Sequence, residues 1–349
     1  MNGGDQGTKK NLDMICKVLG KDKVDIYYLH QKAGKSKLIE YIKGALFIPF
    51  GYFFGLTPTK VKDIVCTAKK YDYVFIDRSI FGIVARELKR ANYIGKIITS
   101  FQNVEVHYMD AKISKHTPLR NVLINCADKN DKWSCTYSDK VIVLNERDRY
   151  EIQQRYKRIA EITIPVTLED QLSYKPNLTK LTGNCPKCLS IGAYFTPNNE
   201  GILWFVKNVL PHVNVEYKIV GKGMERLKRD YPEELKDIEV ISDVPSLTPY
   251  FEEAEIMILP IFSGSGMKVK TCESLMYGKN IIATDEALQG YDIVEGISAW
   301  RSNTPEEFIC CIKDFIQYPK PYFNKEARTC FLENYSNQSV ERKFKELLS

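Results

Sequence analysis

Short apolar runs separated by amphipathic stretches extend along almost the whole chain. The apolar runs predict strands, and stretches with apolar residues three and four apart predict helices. The predicted strands lie at 24–29, 73–77, 96–101, 140–144, 162–166, 188–193, 216–220, 239–241, 256–261 and 280–284. The predicted helices lie at 8–19, 117–133, 146–156, 202–210 and 306–317, with further helical spacing within 324–349. This alternation predicts an α/β protein with parallel sheets.

The length of the chain suits two such sheets. It has 349 residues, of which 44% are hydrophobic and 27% charged, enough to bury two cores. The segment 167–187 is rich in Pro, Asn, Thr and Lys, which indicates a linker. We therefore expect a first domain at 1–166, a second domain at 188–320 and a final helical segment at 321–349.

Charge and cysteine content narrow the class of protein. A net charge of +6 favours anionic ligands or an anionic membrane surface over sequence-specific nucleic-acid binding. No apolar run is long enough to span a bilayer, and no secretory signal opens the chain. Ten cysteines without regular spacing indicate reduced thiols, so we expect a cytoplasmic protein. Cys185 and Cys188 form a lone C-x-x-C and zinc needs two more ligands, so no metal site is predicted.

The stretch 256–292 carries the most specific chemistry. A buried strand ends in the Ser-Gly-Ser-Gly loop 263–266, which opens a helix whose first turn carries Lys268 and Lys270. Free backbone N–H groups, the helix dipole and two ammonium groups predict an anion site there. Glu273 lies one turn further and suits a ribose diol, because a carboxylate accepts two hydroxyl hydrogens. The alternative is an ordinary strand-to-helix turn with solvated lysines.

Two other regions carry candidate functional residues. Arg78 follows one predicted strand, and 102–105 (Gln-Asn-Val-Glu) follows the next, at carboxyl ends where open α/β sheets bind ligands. The aromatic stretch 45–56 is flanked by Lys35, Lys37, Lys43, Lys60 and Lys62. It suits an interfacial membrane patch, or its aromatics pack beneath the first domain.

Residues 260–292 resemble the donor-binding segment of retaining family 4 glycosyltransferases with the GT-B fold, in the branch with a Gly-Ser-Gly loop. The segments 194–201, 221–223 and 242–244 resemble other parts of the same site. The resemblance implies two Rossmann-like domains facing a cleft, with the acceptor on the first, the donor on the second and the final helix crossing back. In this fold a strand precedes the glycine-rich loop that 1–7 resembles. A first strand is therefore expected to be missing, through a misassigned start, a truncation or a reorganised edge.

The resemblance also assigns roles to individual residues. The expected catalytic residues are Gln102, Lys268, Lys270 and Glu273; the donor-binding residues are Gly3, Gly4, Gly221, Gly223, Ser242, Asp243, Val244, Ser263, Gly264, Ser265, Gly266 and Met267; the acceptor-side residues are Arg78, Asn103 and Glu105.

Three positions depart from the family pattern. The family histidine that faces the reacting sugar is Gln102 here, and an amide can hydrogen-bond a sugar hydroxyl but carries no proton as imidazole does. The glutamate found eight positions before Glu273 in many members is Ser265. The loop near Asn198 lacks the Arg and Lys with which some relatives hold the diphosphate.

The expected reaction is transfer of a sugar from a UDP- or GDP-linked donor to a saccharide or lipid-linked saccharide, with retention and no cofactor or metal. We expect a role in surface polysaccharide synthesis, with peripheral contact to the cytoplasmic membrane face. One alternative is a non-catalytic GT-B protein that binds a sugar nucleotide or supports an active partner. The other is a sugar-nucleotide 2-epimerase, which would need acid and base groups around the sugar.

Overall fold

In the computed structural model, structure is described for residues 3–29, 46–53, 55–114, 117–174, 176, 178, 181–264 and 266–348. The chain divides into two compact units. The amino-terminal unit comprises Gly7–Pro165 and Glu341–Ser349, and the carboxy-terminal unit comprises Met1–Gln6 and Val166–Val340. The segment 167–187, which the composition indicates as a linker, therefore groups with the carboxy-terminal unit.

The amino-terminal unit contains a four-stranded parallel sheet in the order β1-β2-β3-β4. Its strands are β1 Tyr73–Ile76, β2 Lys96–Ser100, β3 Lys140–Val143 and β4 Ile162–Thr163. The α-helices from this part of the chain are α1 Gly3–Leu19, α2 Pro58–Ala68, α3 Gly82–Arg90, α4 Glu105–Lys112, α5 Arg120–Tyr137 and α6 Glu146–Tyr156. The last helix, α14 Glu341–Leu348, belongs to this unit, where Lys140 Nζ donates to the Leu347 carbonyl at 2.7 Å.

The carboxy-terminal unit contains a six-stranded parallel sheet in the order β7-β6-β5-β8-β9-β10, the strand order of a dinucleotide-binding Rossmann sheet. Its strands are β5 Lys187–Ile191, β6 Glu216–Gly221, β7 Glu239–Ser242, β8 Ile256–Leu259, β9 Asn280–Ala283 and β10 Trp300–Arg301. Its helices are α7 Thr196–Asn208, α8 Glu225–Asp230, α9 Thr248–Glu253, α10 Val269–Met276, α11 Asp285–Leu288, α12 Pro305–Gln317 and α13 Lys325–Cys330, followed by a π-helical turn at Phe331–Tyr335. The predicted α/β class with parallel sheets is confirmed.

The predicted strand at 24–29 is wrong. This segment has no strand conformation, and Tyr28 is largely exposed. Side-chain hydrogen bonds hold the segment in place of the backbone hydrogen bonds of a β-ladder. The Tyr27 hydroxyl donates to Asp63, and the Tyr71 hydroxyl donates to Asp25. Alternation of apolar and polar residues predicts a strand only where a neighbouring strand offers its backbone groups.

The aromatic stretch 45–56 is divided between core and surface in its described part. Phe53 and Leu56 are buried in the amino-terminal unit, whereas Leu46 and Phe50 are exposed. Asn130 of α5 holds the stretch through a hydrogen bond, in which its Nδ2 donates to the Gly51 carbonyl at 3.0 Å. The flanking residues Lys35, Lys37 and Lys43 lie outside the described residues. None of the helices in the described parts of the chain is long and apolar enough to cross a membrane.

Helices α3 and α5 pack through direct backbone contact at Gly82. A Cβ atom there would lie 2.0 Å from the Asn130 carbonyl oxygen and 2.7 Å from Ser134 Oγ. The core that supports β1 and β2 therefore depends on a missing side chain at this position.

We expect Gly82→Ala to lower the free energy of unfolding by about 1–3 kcal/mol, because the added methyl group forces the two helices apart. Urea denaturation measures this change. The matched control is Gly183→Ala, where the nearest atom to the new Cβ is 4.0 Å away and an effect within about 0.5 kcal/mol is expected. Equal stability of the two variants would show that α3 and α5 are not packed this closely.

Candidate functional site

The sheet of the carboxy-terminal unit has its switch point between β5 and β8, and open α/β sheets bind ligands beyond the carboxyl ends of such strands. The segments that follow these two strands meet in a hydrogen bond of 2.6 Å from Lys270 Nζ to Asn198 Oδ1. Asn198 is held in turn because its Nδ2 donates to the Ala193 carbonyl at 2.8 Å. A Cβ at Gly192, directly after β5, would lie 3.0 Å from Lys270 Nζ, so glycine leaves the space that the amine occupies.

The Lys270 amine has a strongly shifted pKa. Burial lowers its pKa to about 8, Glu273 acts in the opposite direction and Lys268 lowers the pKa further. At neutral pH the amine still carries most of its charge, but that charge is costly where it stands. A bound anion would relieve this cost and raise the pKa again.

Glu273 lies on α10 one turn beyond Lys270, as the sequence predicts. Burial raises the pKa of its carboxyl to about 7, while Lys270 acts in the opposite direction. The side chain therefore changes charge near neutral pH. Perturbed acids and bases of this kind concentrate at functional sites.

Lys268 differs from the prediction. It is the residue before α10 and has an extended backbone, so it is not part of the first helical turn. Its Nζ forms an ion pair of 2.6 Å with Glu286 and donates to the Gly266 carbonyl at 2.9 Å. Its ammonium group is thus shared with an acidic side chain that the sequence analysis did not single out.

The backbone conformation of the glycine loop 263–266 determines where α10 begins. Gly264 has φ 140° and Gly266 has φ 65°, conformations that side-chain-bearing residues rarely adopt and that are not helical. For this reason α10 begins at Val269 and not within 263–266, where the sequence placed its start. Ser263 is exposed and Met267 is buried, while Ser265 lies outside the described residues.

The loops after β6 and β7 are joined to each other. Asp243 has φ 54°, and its Oδ2 accepts a hydrogen bond of 3.4 Å from the Gly223 N–H. Ser242 Oγ accepts from the Glu225 N–H at the start of α8 at 2.5 Å. The predicted residues Gly221, Gly223, Ser242, Asp243 and Val244 thus lie together at the same edge of the sheet as Lys270.

In the amino-terminal unit, Gln102 follows β2, and its side chain is hydrogen-bonded to Asp77, which follows β1, and to Thr8 of α1. It is 8% exposed, and its Nε2 donates to Asp77 Oδ2 at 3.0 Å and to Thr8 Oγ1 at 3.3 Å. Asp77 also accepts from the Thr8 hydroxyl and, at 2.7 Å, from Asn11 Nδ2. Burial raises the pKa of the Asp77 carboxyl, and the hydrogen bonds from Thr8 and Asn11 oppose this rise.

The three acceptor-side residues are placed differently from one another. Glu105, expected on the acceptor side, is completely buried. It positions Arg78 instead, whose Nε and Nη2 donate to Glu105 Oε1 at 3.0 and 2.7 Å. Arg78 and Asn103 remain partly exposed beside this pair.

The sequence predicted Gly3 and Gly4 in a loop, but they are helical. They form the first turn of α1, which begins at Gly3. The first N–H groups of a helix have no partner within it, so backbone donors are present at these positions in helical geometry.

Three of the groups that shape the site were missed from the sequence. Asn198 was treated as part of a loop poor in phosphate ligands, although it is the partner of Lys270. Asp77 was given no role of its own, although it ends a strand whose loop was singled out, and Glu286 was not considered. A polar residue directly after a strand was the available signal for Asp77, but nothing in the spacing joins Glu286 to Lys268.

A model of the family described as glycosyl transferases group 1 matches residues 185–317. No curated protein sequence matches the chain at a significant level.

Solved structures match over most of the chain. A glycosyltransferase from Rickettsia africae ESF-5 is 18% identical, with coverage of 100% of this chain and 96% of that one and a TM-score of 0.65. Sucrose-phosphate synthase from Thermosynechococcus elongatus is 13% identical, with 83% and 77% coverage and a TM-score of 0.65. HepE of Anabaena, solved in complex with UDP-glucose, is 12% identical, with 82% and 81% coverage and a TM-score of 0.61. At these identities the likeness shows the fold, which is GT-B with Rossmann-like sheets.

The raised pKa of Glu273 predicts a specific dependence of stability on pH. The folded state holds this proton up to about pH 7, whereas the unfolded chain releases it near pH 4.5. The ionised side chain therefore costs stability as the pH rises between these values. We expect Glu273→Gln to be more stable than wild type at pH 8 and equal to it near pH 4.5, measured by urea denaturation.

Glu253→Gln is the control with the opposite sign. Hydrogen bonds from Lys187 and Lys218 lower the pKa of the Glu253 carboxyl, so its ionised form stabilises the fold above about pH 4.5 and that stability is lost on acidification. This variant should be less stable than wild type at pH 8. If Glu273→Gln also loses stability at pH 8, the carboxylate of Glu273 is compensated within the protein and its assignment to the site fails.

Proposed function

We propose that the protein transfers a glycosyl group from a nucleoside diphosphate sugar to a hydroxyl of a saccharide or lipid-linked saccharide, with retention at the anomeric carbon. The carboxy-terminal unit binds the donor and the amino-terminal unit binds the acceptor. The proposal places the reaction in surface polysaccharide synthesis, in the cytoplasm at the membrane face. It is supported above all by the Lys270 amine, held by Asn198 at the switch point of a Rossmann sheet.

Lys270 is assigned to the leaving diphosphate. Negative charge grows on the diphosphate as the glycosidic bond breaks, and a half-buried ammonium group beside a helix start stabilises it where water would be less effective. Lys268 contributes a second positive charge, moderated by Glu286. These groups supply the charge that a metal ion would otherwise provide, so the proposed transfer needs no metal or other cofactor.

Glu273 is assigned to the ribose of the donor. Its position one turn beyond Lys270 matches the separation of diphosphate and ribose, and its ionised carboxylate accepts hydrogen bonds from a diol. The base of the nucleotide is assigned to the loops around Gly223 and Ser242, with uracil or guanine as candidates. UDP-linked sugars are the first choice for testing, since HepE of Anabaena was solved with UDP-glucose.

On the acceptor side, Arg78 and Asn103 are the side chains left to bind a saccharide, because Glu105 is buried beneath Arg78. Gln102 is assigned to the transferred sugar through its amide oxygen, since its Nε2 is bonded to Asp77. The backbone donors of Gly3 and Gly4 are assigned to the donor phosphates or sugar.

Gln102 also motivates the second candidate function. An amide that is hydrogen-bonded to Asp77 and Thr8 serves the structure of the unit, and it cannot transfer a proton. A protein that binds a sugar nucleotide without turning it over, and supports an active partner, would need only the donor site of the carboxy-terminal unit.

A panel of UDP- and GDP-sugars tests both candidates, with thermal shift as the measure of binding and free nucleotide as the measure of turnover. We expect one donor to stabilise the protein and to be consumed, faster when a saccharide acceptor is added. Lys270→Ala should lower turnover by about 10²–10³-fold through loss of a charge that acts in the transition state.

The control is Lys236→Ala, an exposed lysine of the same unit that should leave turnover unchanged. Stabilisation by a donor without any release of nucleotide would favour the binding protein. Full turnover in Lys270→Ala would contradict the proposed role of this amine.

A further inference from the structure

A basic hollow lies at the amino ends of β1 and β2, the opposite end of these strands from Asp77 and Gln102. It has a volume of about 340 Å³ and is lined by Lys69, Lys70 and Lys96. Lys69 and Lys70 follow α2, and Lys96 opens β2 beside Tyr73, its register partner in β1.

Two hydrogen bonds and a close approach at Gly95 define the framework of the hollow. The Tyr93 hydroxyl donates to the Tyr71 carbonyl at 2.8 Å, and the Lys96 N–H donates to the Asp72 carbonyl at 2.8 Å. At Gly95 a Cβ would lie 2.2 Å from the Tyr93 hydroxyl, so the loop before β2 can only close over a glycine. The position of the hollow is thus set by the packing of the unit.

Two phenol rings hold lysine amines at the hollow. Lys70 Nζ lies 5.1 Å from the centre of the Tyr71 ring, and Lys96 Nζ lies 5.8 Å from the centre of the Tyr73 ring. The Tyr73 hydroxyl donates to the Leu348 carbonyl at 3.0 Å, which fixes this ring from behind. Against the three lysines the lining contains one acid, Asp72, so the hollow carries an excess of positive charge.

Ile94 stands at the rim of the hollow and is 98% exposed. The fixed loop keeps its side chain out of the core, where isoleucine is normally found. Lysines after α2 also complement the negative end of that helix. The helix dipole does not explain the position of Lys96, because this residue begins a strand. It also does not explain why Ile94 is exposed to water.

We infer that this hollow docks on the phosphate layer of an anionic lipid bilayer. A bilayer presents phosphates at one depth and hydrocarbon just beneath, which matches lysine amines around a projecting aliphatic side chain, with tyrosines at the level of the headgroups. The lysines alone would be enough to bind a free anion, and the exposed Ile94 would contribute nothing to that binding. The inference rests on the proposed location at the membrane face, for which it names the surface, and it does not depend on the transferase activity.

Co-sedimentation with vesicles tests the inference, with neither donor nor acceptor present, so it fails or holds separately from the proposed function. Wild-type protein should bind phosphatidylcholine vesicles that contain phosphatidylglycerol, and should bind pure phosphatidylcholine much less. The binding should weaken as salt is added, because the contacts are between exposed charges.

Lys69→Ala, Lys70→Ala and Lys96→Ala together should weaken this binding by about 100-fold, from about fivefold for each lysine near the surface. The matched control removes the same charge at Lys236, Lys313 and Lys325, three exposed lysines of the carboxy-terminal unit, and should bind nearly as wild type. Ile94→Asn should weaken binding several-fold, whereas the same change at the exposed Ile159 should not.

Several results would overturn the inference. One is failure of wild-type protein to bind anionic vesicles, and another is equal binding by the two triple variants. Loss of binding in Phe50→Asn but not in the Lys69, Lys70 and Lys96 variant would move the docking surface to the aromatic stretch. Stabilisation by free pyrophosphate without vesicle binding would show a soluble anion as the ligand, and displacement from vesicles by an acidic peptide but not by salt would indicate a protein partner.

Discussion

The hydrogen bond between Lys270 and Asn198 is the constraint on which the candidate site depends. It joins the segments that follow β5 and β8, the two strands at which the sheet reverses its order, and it requires a glycine at 192 for space. The bond orients the amine, while burial makes its charge costly and lowers its pKa to about 8. A ligand that supplies negative charge would stabilise such a site, and the diphosphate of the proposed donor is a ligand of this kind.

Burial raises the pKa of a carboxyl in each unit, Asp77 in one and Glu273 in the other. In the amino-terminal unit the carboxylates of the half-buried Asp77 and the buried Glu105 accept hydrogen bonds from their own unit, from Thr8, Asn11 and Gln102 or from Arg78. In the carboxy-terminal unit the Glu273 carboxyl has a pKa raised to about 7, so its charged form is poorly compensated. The hydrogen bonds in the first arrangement position side chains, and in the second the proposed donor would relieve an unfavourable charge.

The sequence could predict what local periodicity and strand ends determine. The buried runs gave β6, β8 and β9 to within a residue or two, and α6 lies at 146–156 as predicted. It could not predict the outcome at 24–29, because strand formation there depends on a neighbour elsewhere in the sheet and not on local pattern. The start of α10 was placed too early because left-handed φ at Gly264 and Gly266 is a property of the closed loop. The partners Asn198 and Glu286 were missed because they meet Lys270 and Lys268 only in the folded sheet.

The central claim is that Lys270 and Asn198 act as one unit in binding the diphosphate of a nucleotide. A double-mutant cycle measures this directly, with UDP and then GDP titrated calorimetrically into wild type, Lys270→Ala, Asn198→Ala and the double variant. The account predicts that each single change weakens binding and that the two effects are coupled by more than about 0.5 kcal/mol, since either change disrupts the same hydrogen bond. Effects that add within about 0.5 kcal/mol, or unchanged affinity in Lys270→Ala, would contradict it.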